Sequence, residues 1–533
     1  MLLIHGILLG SFTYFAYKRL LNYLHALQQD DYNSQRMLSW LKKYSIYDTS
    51  VSSGLLCLAV LDLVILQTNV LVVLLVLGFL VAAYFELNPL KQAKKSLVLT
   101  PRALRILRLA VVISSLYALL FILLLDISVA YMLATIVLVQ ALPLILVLSN
   151  KLLDRQEKKI QAFFYQDAQQ HLATCNPTII GITGSFGKTS LKHILGHILK
   201  SSAPTLITPG SVNTVMGITR VIREQLEARH DYFVVEMGAY GPGSIHRLCQ
   251  LTPPHFGVIT AIGHAHFERF KSLETVAKTK FELAQAALAK NGQVIVNADT
   301  LEYDASQQIF LNNAPQFVIA GFKTSSQPLN FTINQTQQTT AGLWLQVLWQ
   351  GQEYNLQTPL FGNHHAENIA LAFATALTLG VAIESVVLSL KNLPQVKHRL
   401  EKKPGGNGTT ILDDAYNSNP IGFRAALNVL QQIDIPGRKI LITPGMIELG
   451  ESHDQEHAAI GEIALAVCDI IAVVQPERIP TFTQAIQNVA PEKLKLFDTF
   501  VAAEQWLTKE QQPGDWIVIE NDLPDIYERV LKI

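Results

Sequence analysis

The stretch Gly181–Ser190, GITGSFGKTS, decides how this chain folds. It follows the apolar run PTIIGIT and leads into an amphipathic segment, so it reads as strand, glycine-rich turn and helix start. Gly184 and Gly187 let backbone N–H groups close around phosphate oxygens. Lys188 is placed to bridge the β- and γ-phosphates of ATP, and Thr189 or Ser190 offers a hydroxyl to Mg²⁺. A plain turn in an α/β domain would explain the glycines but not the Lys-Thr-Ser that follows them.

Downstream, DYFVVEMG, HFGVITAIG and GQVIVNAD are short apolar strands, each followed by a helical stretch. That alternation predicts a parallel α/β sheet. Residues 328–360 break it with short alternating segments and read as a small antiparallel insertion. A helix is expected over about 363–379. The run KKPGGNGTT is a turn-rich boundary, and a second, smaller α/β unit follows it: TTILDDAY, RKILITPG, DIIAVVQ and DWIVIEN.

Upstream the chain changes character. Five apolar runs, roughly 2–17, 51–67, 70–86, 106–125 and 128–149, approach the ~20 residues that cross hydrocarbon. The first lacks a basic leader and a small-residue cleavage site, so it reads as an uncleaved anchor. Lys18, Arg19, Arg36, Lys42 and Lys43 fall between the first two runs, and Lys91, Lys94, Lys95, Arg102 and Arg105 between the third and fourth. The positive-inside rule puts both groups in the cytoplasm. The expectation is a multi-pass plasma-membrane protein of about five transmembrane helices, with the soluble part in the cytoplasm. Asp62 and Asp126 fall at or near membrane depth, Asp126 at a turn. An α-helical membrane region over 1–150 is followed by a polar connector, a central P-loop domain over 151–402, and a Rossmann-like C-terminal domain over 403–533.

Lysine plus arginine equals aspartate plus glutamate, 42 each in 533 residues, so no global basic footprint for nucleic acid exists. The four cysteines, Cys57, Cys175, Cys249 and Cys468, show neither a CxxC nor a metal spacing. They fit buried apolar positions in a reducing compartment.

Several residues carry chemistry in combination. Glu236 ends DYFVVEMG, and an acid at the carboxyl end of a parallel strand faces the ligand crevice; alone it is equally a strand-end charge. His264 and His266 in GHAHFERF share a face on extended backbone and suit a divalent metal, although such pairs are more often structural. Lys280 in AKTKFE would ordinarily be a solvated helix lysine.

Together with NADT (297–300), GNHHAENIALAFATAL (362–377), VKHRLE (396–401), DDAYNSNP (413–420) and PGMIELGESHDQEH (444–457), these motifs occur in one order that resembles the Mur ligase family. Within it the order is most similar to the branch that adds D-alanyl-D-alanine to a muramoyl tripeptide. The resemblance covers roughly 177–520. It implies an ATP-dependent carboxylate–amine ligase, using Mg²⁺ and an acyl-phosphate intermediate, in peptidoglycan precursor synthesis. It assigns Lys188 and Thr189 to ATP and Mg²⁺, Glu236 and His266 to metal, and Lys280 to a carbamylated lysine that helps hold a second Mg²⁺. Asn297, His364, Asn368 and Arg399 would surround adenine and ribose, with Asp414 reaching the nucleotide from the C-terminal domain. Asn213, Asn417, Asn419 and Glu448 would face the substrates.

Three departures accompany the resemblance. The family's N-terminal domain, which holds the UDP end of the substrate, is replaced by the apolar region. Where the adenine motif usually reads Gly-x-His-Asn, the final position is His365. The C-terminal strand, usually followed by a basic Lys-Gly-Ser-Arg-like segment, reads IVIENDLPDIY. These favour a lipid-linked acceptor at the membrane, or a Mur-type ligase for another membrane-linked or poly-amino-acid substrate. From other classes come a transport ATPase, which the few spans and missing ABC-type signature disfavour, and a non-catalytic scaffold, which has no need of Lys188, Glu236, His266, Lys280 and Asp414.

Overall fold

The computed structural model describes residues 2–29, 32–44, 48–63, 68–90, 97–125, 127–263, 270–395, 397–415, 418–447 and 449–521. The described residues divide into two compact units, one up to residue 162 and one from 163 to 521.

Five strands run parallel at one side of the larger unit's first sheet: β1 (Thr178–Thr183), β2 (Thr205–Ile207), β3 (Tyr232–Glu236), β4 (Phe256–Ile259) and β5 (Gln293–Asn297). The sheet continues through β6 (Phe317–Phe322), β7 (Phe331–Thr339), β8 (Gly342–Trp349) and β9 (Gln352–Thr358) in the order β2-β3-β1-β4-β5-β6-β7-β8-β9. The central strands are apolar throughout because helices cover both faces; β1 buries five of its six residues. The antiparallel segment expected over 328–360 is present but does not stand apart. Ala320 and Phe331 pair β6 with β7 in parallel, so β7–β9 extend the main sheet. Phe331, fully buried, joins the two regions by packing on Phe373 of the helix His364–Thr378 at 5.1 Å between ring centroids.

The second sheet comprises β10 (Glu401–Pro404), β11 (Thr410–Asp414), β12 (Lys439–Thr443), β13 (Ile470–Val474), β14 (Leu494–Phe497) and β15 (Trp516–Glu520), ordered β10-β11-β15-β12-β13-β14. Only β10 is antiparallel to its neighbour. The residues read as a turn-rich boundary divide here: Lys402–Pro404 form strand, and the turn follows at Gly405–Thr409.

The N-terminal unit is helical: Leu2–Gln29, Ser34–Tyr44, Ser50–Asp62, Thr68–Phe85, Pro101–Leu124 and the first part of Val129–Cys175. The expected apolar runs are helices, but the multi-pass plasma-membrane reading is corrected. Among the described residues two helices, Pro101–Leu124 and Val129–Cys175, are long and apolar enough to cross a membrane by length and composition. Their apolar windows are 33% and 56% buried within the chain. Ser50–Asp62 and Val70–Phe85 are shorter. The charge argument fails for a physical reason. Arg19 is no loop charge; it lies inside the first helix, buried, and pairs with Asp48 at 3.0 Å and with Glu86. Arg105 is helical too and pairs with Glu157 at 2.6 Å. The stretch read as a polar connector continues the 47-residue helix Val129–Cys175, as its Gln, Glu, Lys and Ala content allows. Asp126 lies outside the described residues, and Asp62 ends its helix.

Phe331→Ala should destabilise the larger unit by ~3–5 kcal/mol, the usual cost of emptying an aromatic core position. Urea unfolding followed by near-UV circular dichroism checks this; a midpoint unchanged from the parent would show that β7–β9 are not part of the cooperative core.

Candidate functional site

The carboxyl ends of β3, β1, β4 and β5 lie side by side. From β1 the chain passes to β2 and β3 on one side and then crosses to β4 on the other, which opens a crevice at that edge. The GSFG turn sits there, between β1 and the helix Lys188–Lys200. Two glycines are sterically required. A Cβ on Gly184 would lie 1.8 Å from Thr260 Oγ1. Gly187 has φ 80°, and a Cβ there would meet Asn368 Oδ1 at 2.4 Å. β4 pins the turn: Ser185 N–H donates to the Ala261 carbonyl at 2.7 Å, Gly263 N–H to Ser185 Oγ at 2.9 Å, and Thr260 Oγ1 to the Phe186 carbonyl. Helix-start N–H groups and this cradle without Cβ atoms fit a polyphosphate.

Lys188 Nζ folds over the turn, donating to the Gly184 carbonyl at 2.6 Å and the Ser185 carbonyl at 3.2 Å. Burial lowers its pKa, Glu236 opposes that, and Arg399 adds to it. Beside it, Glu236 is 1% exposed. Its Oε2 accepts from Thr189 Oγ1 at 3.0 Å and from Lys192 Nζ at 3.0 Å; its Oε1 accepts from Asn213 Nδ2 at 3.1 Å. The register Ile182↔Glu236 places this carboxylate next to the phosphate loop. A hydroxyl and a carboxylate in contact form a hard-oxygen donor pair that fits Mg²⁺. Lys280 ends the helix Leu273–Lys280 and is buried; burial and then the Lys188 charge hold its pKa well below the usual lysine range.

Of the nucleotide residues, Asn297 closes β5, buried, and its Oδ1 accepts from Asp299 N–H at 3.1 Å. His364 opens the helix His364–Thr378, and Asn368, one turn on, backs the Gly187 turn. Ser190 is buried behind the loop. Asp414 ends β11 directly opposite Glu520 of β15. Asp414 Oδ1 accepts from Leu400 N–H at 3.2 Å, which brings neighbouring Arg399 into its field. Glu520 is fully buried and accepts from Ser418 Oγ at 2.6 Å. Burial pushes Asp414 up to about 6 against the pull of Arg399, and burial with Asp414 lifts Glu520 well above the usual range. The Arg399 charge also lowers the pKa of Lys188.

Asn419 Oδ1 caps the helix Pro420–Gln432, accepting from Ile421 and Gly422 N–H at 3.1 and 3.0 Å. His264, His266, Asn417 and Glu448 lie outside the described residues. Lys192, Glu520 and Thr260 are the residues that motif reading missed. Lys192 was findable as a lysine one turn after Lys188 on the apolar face of Leu191, Leu195 and Ile198. Among the described residues, His398, Glu401 and Asp413 offer ligand atoms within 4.8 Å of one another. Lys403 already compensates that cluster, at 3.0 Å from Glu401 and in contact with Asp413.

Residues 182–376 match the Mur ligase middle domain, and residues 398–520 match the Mur ligase glutamate ligase domain. Over 302 residues the chain is 32% identical to UDP-N-acetylmuramoyl-tripeptide--D-alanyl-D-alanine ligase of Mycobacterium tuberculosis, covering 54% of this chain and 56% of that one. The chain thus spans little more than half the length of that relative. The Mycobacterium leprae enzyme of the same name is 30% identical over 371 residues, 64% of this chain and 70% of the relative. The crystal structure of MurF from Acinetobacter baumannii superposes with a TM-score of 0.56 at 28% identity, covering 68% of this chain and 77% of that one.

Both raised carboxyls hold their protons more tightly in the folded chain than in the unfolded one. Their stabilisation is complete below pH ~4 and is lost as pH rises through about 6 and beyond. Glu520→Gln keeps the neutral shape and cannot ionise. It should match the parent in thermal stability at pH 4 or below and exceed it at pH 8 by ~1 kcal/mol or more. A difference that is the same at both pH values would contradict a Glu520 carboxyl raised by burial.

Proposed function

The chain belongs to the Mur ligase family, and on that premise we propose that it is an ATP-dependent carboxylate–amine ligase adding D-alanyl-D-alanine to UDP-N-acetylmuramoyl tripeptide in peptidoglycan precursor synthesis. The observation that carries this reading is the contact of Thr189 Oγ1 with the buried Glu236 carboxylate beside the Lys188 turn. The domain organisation that goes with it is a helical segment over 1–150, a P-loop domain over 151–402 and a C-terminal ligase domain over 403–533.

The substrate carboxylate attacks the γ-phosphorus of ATP, ADP leaves, and an acyl phosphate forms. The amine nitrogen then attacks the acyl carbon, and phosphate leaves from the tetrahedral adduct as the nitrogen loses its proton. Phosphoryl transfer asks of a protein positioning and charge neutralisation more than covalent chemistry. The GSFG turn and helix start hold the β- and γ-phosphates, and Lys188, now on the Gly184 and Ser185 carbonyls, turns to the γ-phosphate. Thr189, Glu236 and His266 are the proposed Mg²⁺ contacts; the ion would neutralise charge on the phosphate oxygens. Lys280, whose ammonium form burial and the Lys188 charge disfavour, is the proposed site of carbamylation, which would turn it into an anion able to hold a second Mg²⁺. Asn297, His364, Asn368 and Arg399 take the adenosine, Asp414 meets the nucleotide from β11, and Asn213, Asn417 and Glu448 face the substrates. Asn419 acts on that side through its helix cap.

A second reading, a Mur-type ligase with another amine or acceptor, is favoured by one observation. The end of β15 presents the buried acid Glu520 where the family pattern is basic.

Phosphate release by the purified protein with ATP, Mg²⁺, UDP-muramoyl tripeptide and D-alanyl-D-alanine tests the proposal. Release should require both the carboxylate and the amine, and Lys188→Ala should lower it by ~100-fold or more. Release indifferent to both substrates would overturn the ligase reading. Release that accepts other amines and refuses D-alanyl-D-alanine would select the second reading.

A further inference from the structure

A lysine is seldom fully buried unless its charge is met. Lys192 is 0% exposed, one helical turn beyond Lys188 on the same helix. Its Nζ donates to Glu236 Oε2 at 3.0 Å and to the Gly210 carbonyl. That carboxylate oxygen is the one that also accepts from Thr189 Oγ1. The other carboxylate oxygen is taken by Asn213 Nδ2, whose own Oδ1 accepts from Tyr240 OH at 2.9 Å. The acid proposed to meet the metal therefore already has a cation on the oxygen that faces the metal-side hydroxyl.

We propose that the Lys192 ammonium is a resident counter-cation on Glu236 Oε2 that lowers the affinity of the site for free divalent metal, so that metal is held only together with a nucleotide triphosphate. The inference rests on the ligase reading above. Two cations sharing one oxygen repel strongly at this depth. A polyphosphate placed on the adjoining turn adds negative charge that offsets this repulsion. Lys192 thus acts through Glu236 as a positioning residue, and it couples metal binding to nucleotide binding. The contact with Gly210 anchors the ammonium to the turn that carries Asn213, so the charge stays in place when the nucleotide leaves.

Thermal unfolding of the full chain, with Mg²⁺ alone and with Mg²⁺ plus ATP, tests this. The parent should be stabilised by Mg²⁺ with ATP and unmoved by Mg²⁺ alone. Lys192→Met leaves Glu236 uncompensated, so Mg²⁺ alone at about 10 mM should raise its midpoint by ~2 °C or more. Lys192→Met/Glu236→Gln, with no buried charge left unpaired, should fold and lose that response. A Lys192→Met midpoint that Mg²⁺ alone does not raise would overturn the inference. So would a Lys192→Met chain that stays unfolded in Mg²⁺ while the double variant folds, or a parent already stabilised by Mg²⁺ alone. A parent unmoved by Mg²⁺ with ATP would instead overturn the ligase reading on which the inference stands.

Discussion

A carboxylate with 1% exposure has to be satisfied by protein, and Glu236 organises the catalytic edge of the larger unit around that need. The partners come from two pieces of chain: Thr189 and Lys192 from the phosphate-loop helix, and from the 208–213 turn Asn213 on the carboxylate and Thr208, whose Oγ1 accepts the Glu236 N–H at 3.1 Å. The loop helix, the end of β3 and the 208–213 turn are thereby fixed relative to one another before any substrate arrives. Removing one partner would leave a buried charge, which costs far more than the lost hydrogen bond.

Much of this was legible in the sequence. GITGSFGKTS carries its glycines where the structure has no room for a Cβ, against Thr260 and Asn368. The strands DYFVVEMG, HFGVITAIG and GQVIVNAD, and their parallel pairing, follow from continuous apolar runs between helices. What pattern reading missed depends on long-range partners. Lys192 looks like any helix lysine until β3 brings Glu236 against it. Glu520 and Asp414 lie 106 residues apart and meet only because β15 inserts beside β11. Asn419 Oδ1 caps the following helix, a local role its place just before Pro420 signals. The strand β14 escaped notice because it is four residues long, with two of them exposed.

The N-terminal unit shows how one wrong premise spreads. Its helices are visible as apolar runs, but the basic residues between those runs are not all loop charges. Arg19, Arg102 and Arg105 are helical, and Arg19 and Arg105 are matched by Asp48, Glu86 and Glu157 within the unit. A charge count sees the basic members and not the acids that fold back on them, so it read an orientation where there are ion pairs. Phe12, Phe15 and Phe79 likewise serve a packed helical core, with ring centroids 5.4–6.4 Å apart.

The central claim is that the phosphate loop activates a carboxylate by phosphorylating it. Transfer of oxygen isotope is its most direct test. The acceptor, UDP-muramoyl tripeptide labelled with ¹⁸O in the reacting carboxylate, is turned over with ATP and D-alanyl-D-alanine, and the released phosphate is analysed by mass. The account predicts one labelled oxygen in each phosphate released, because the acyl phosphate breaks at the acyl carbon. Phosphate released without label during amide formation would contradict it.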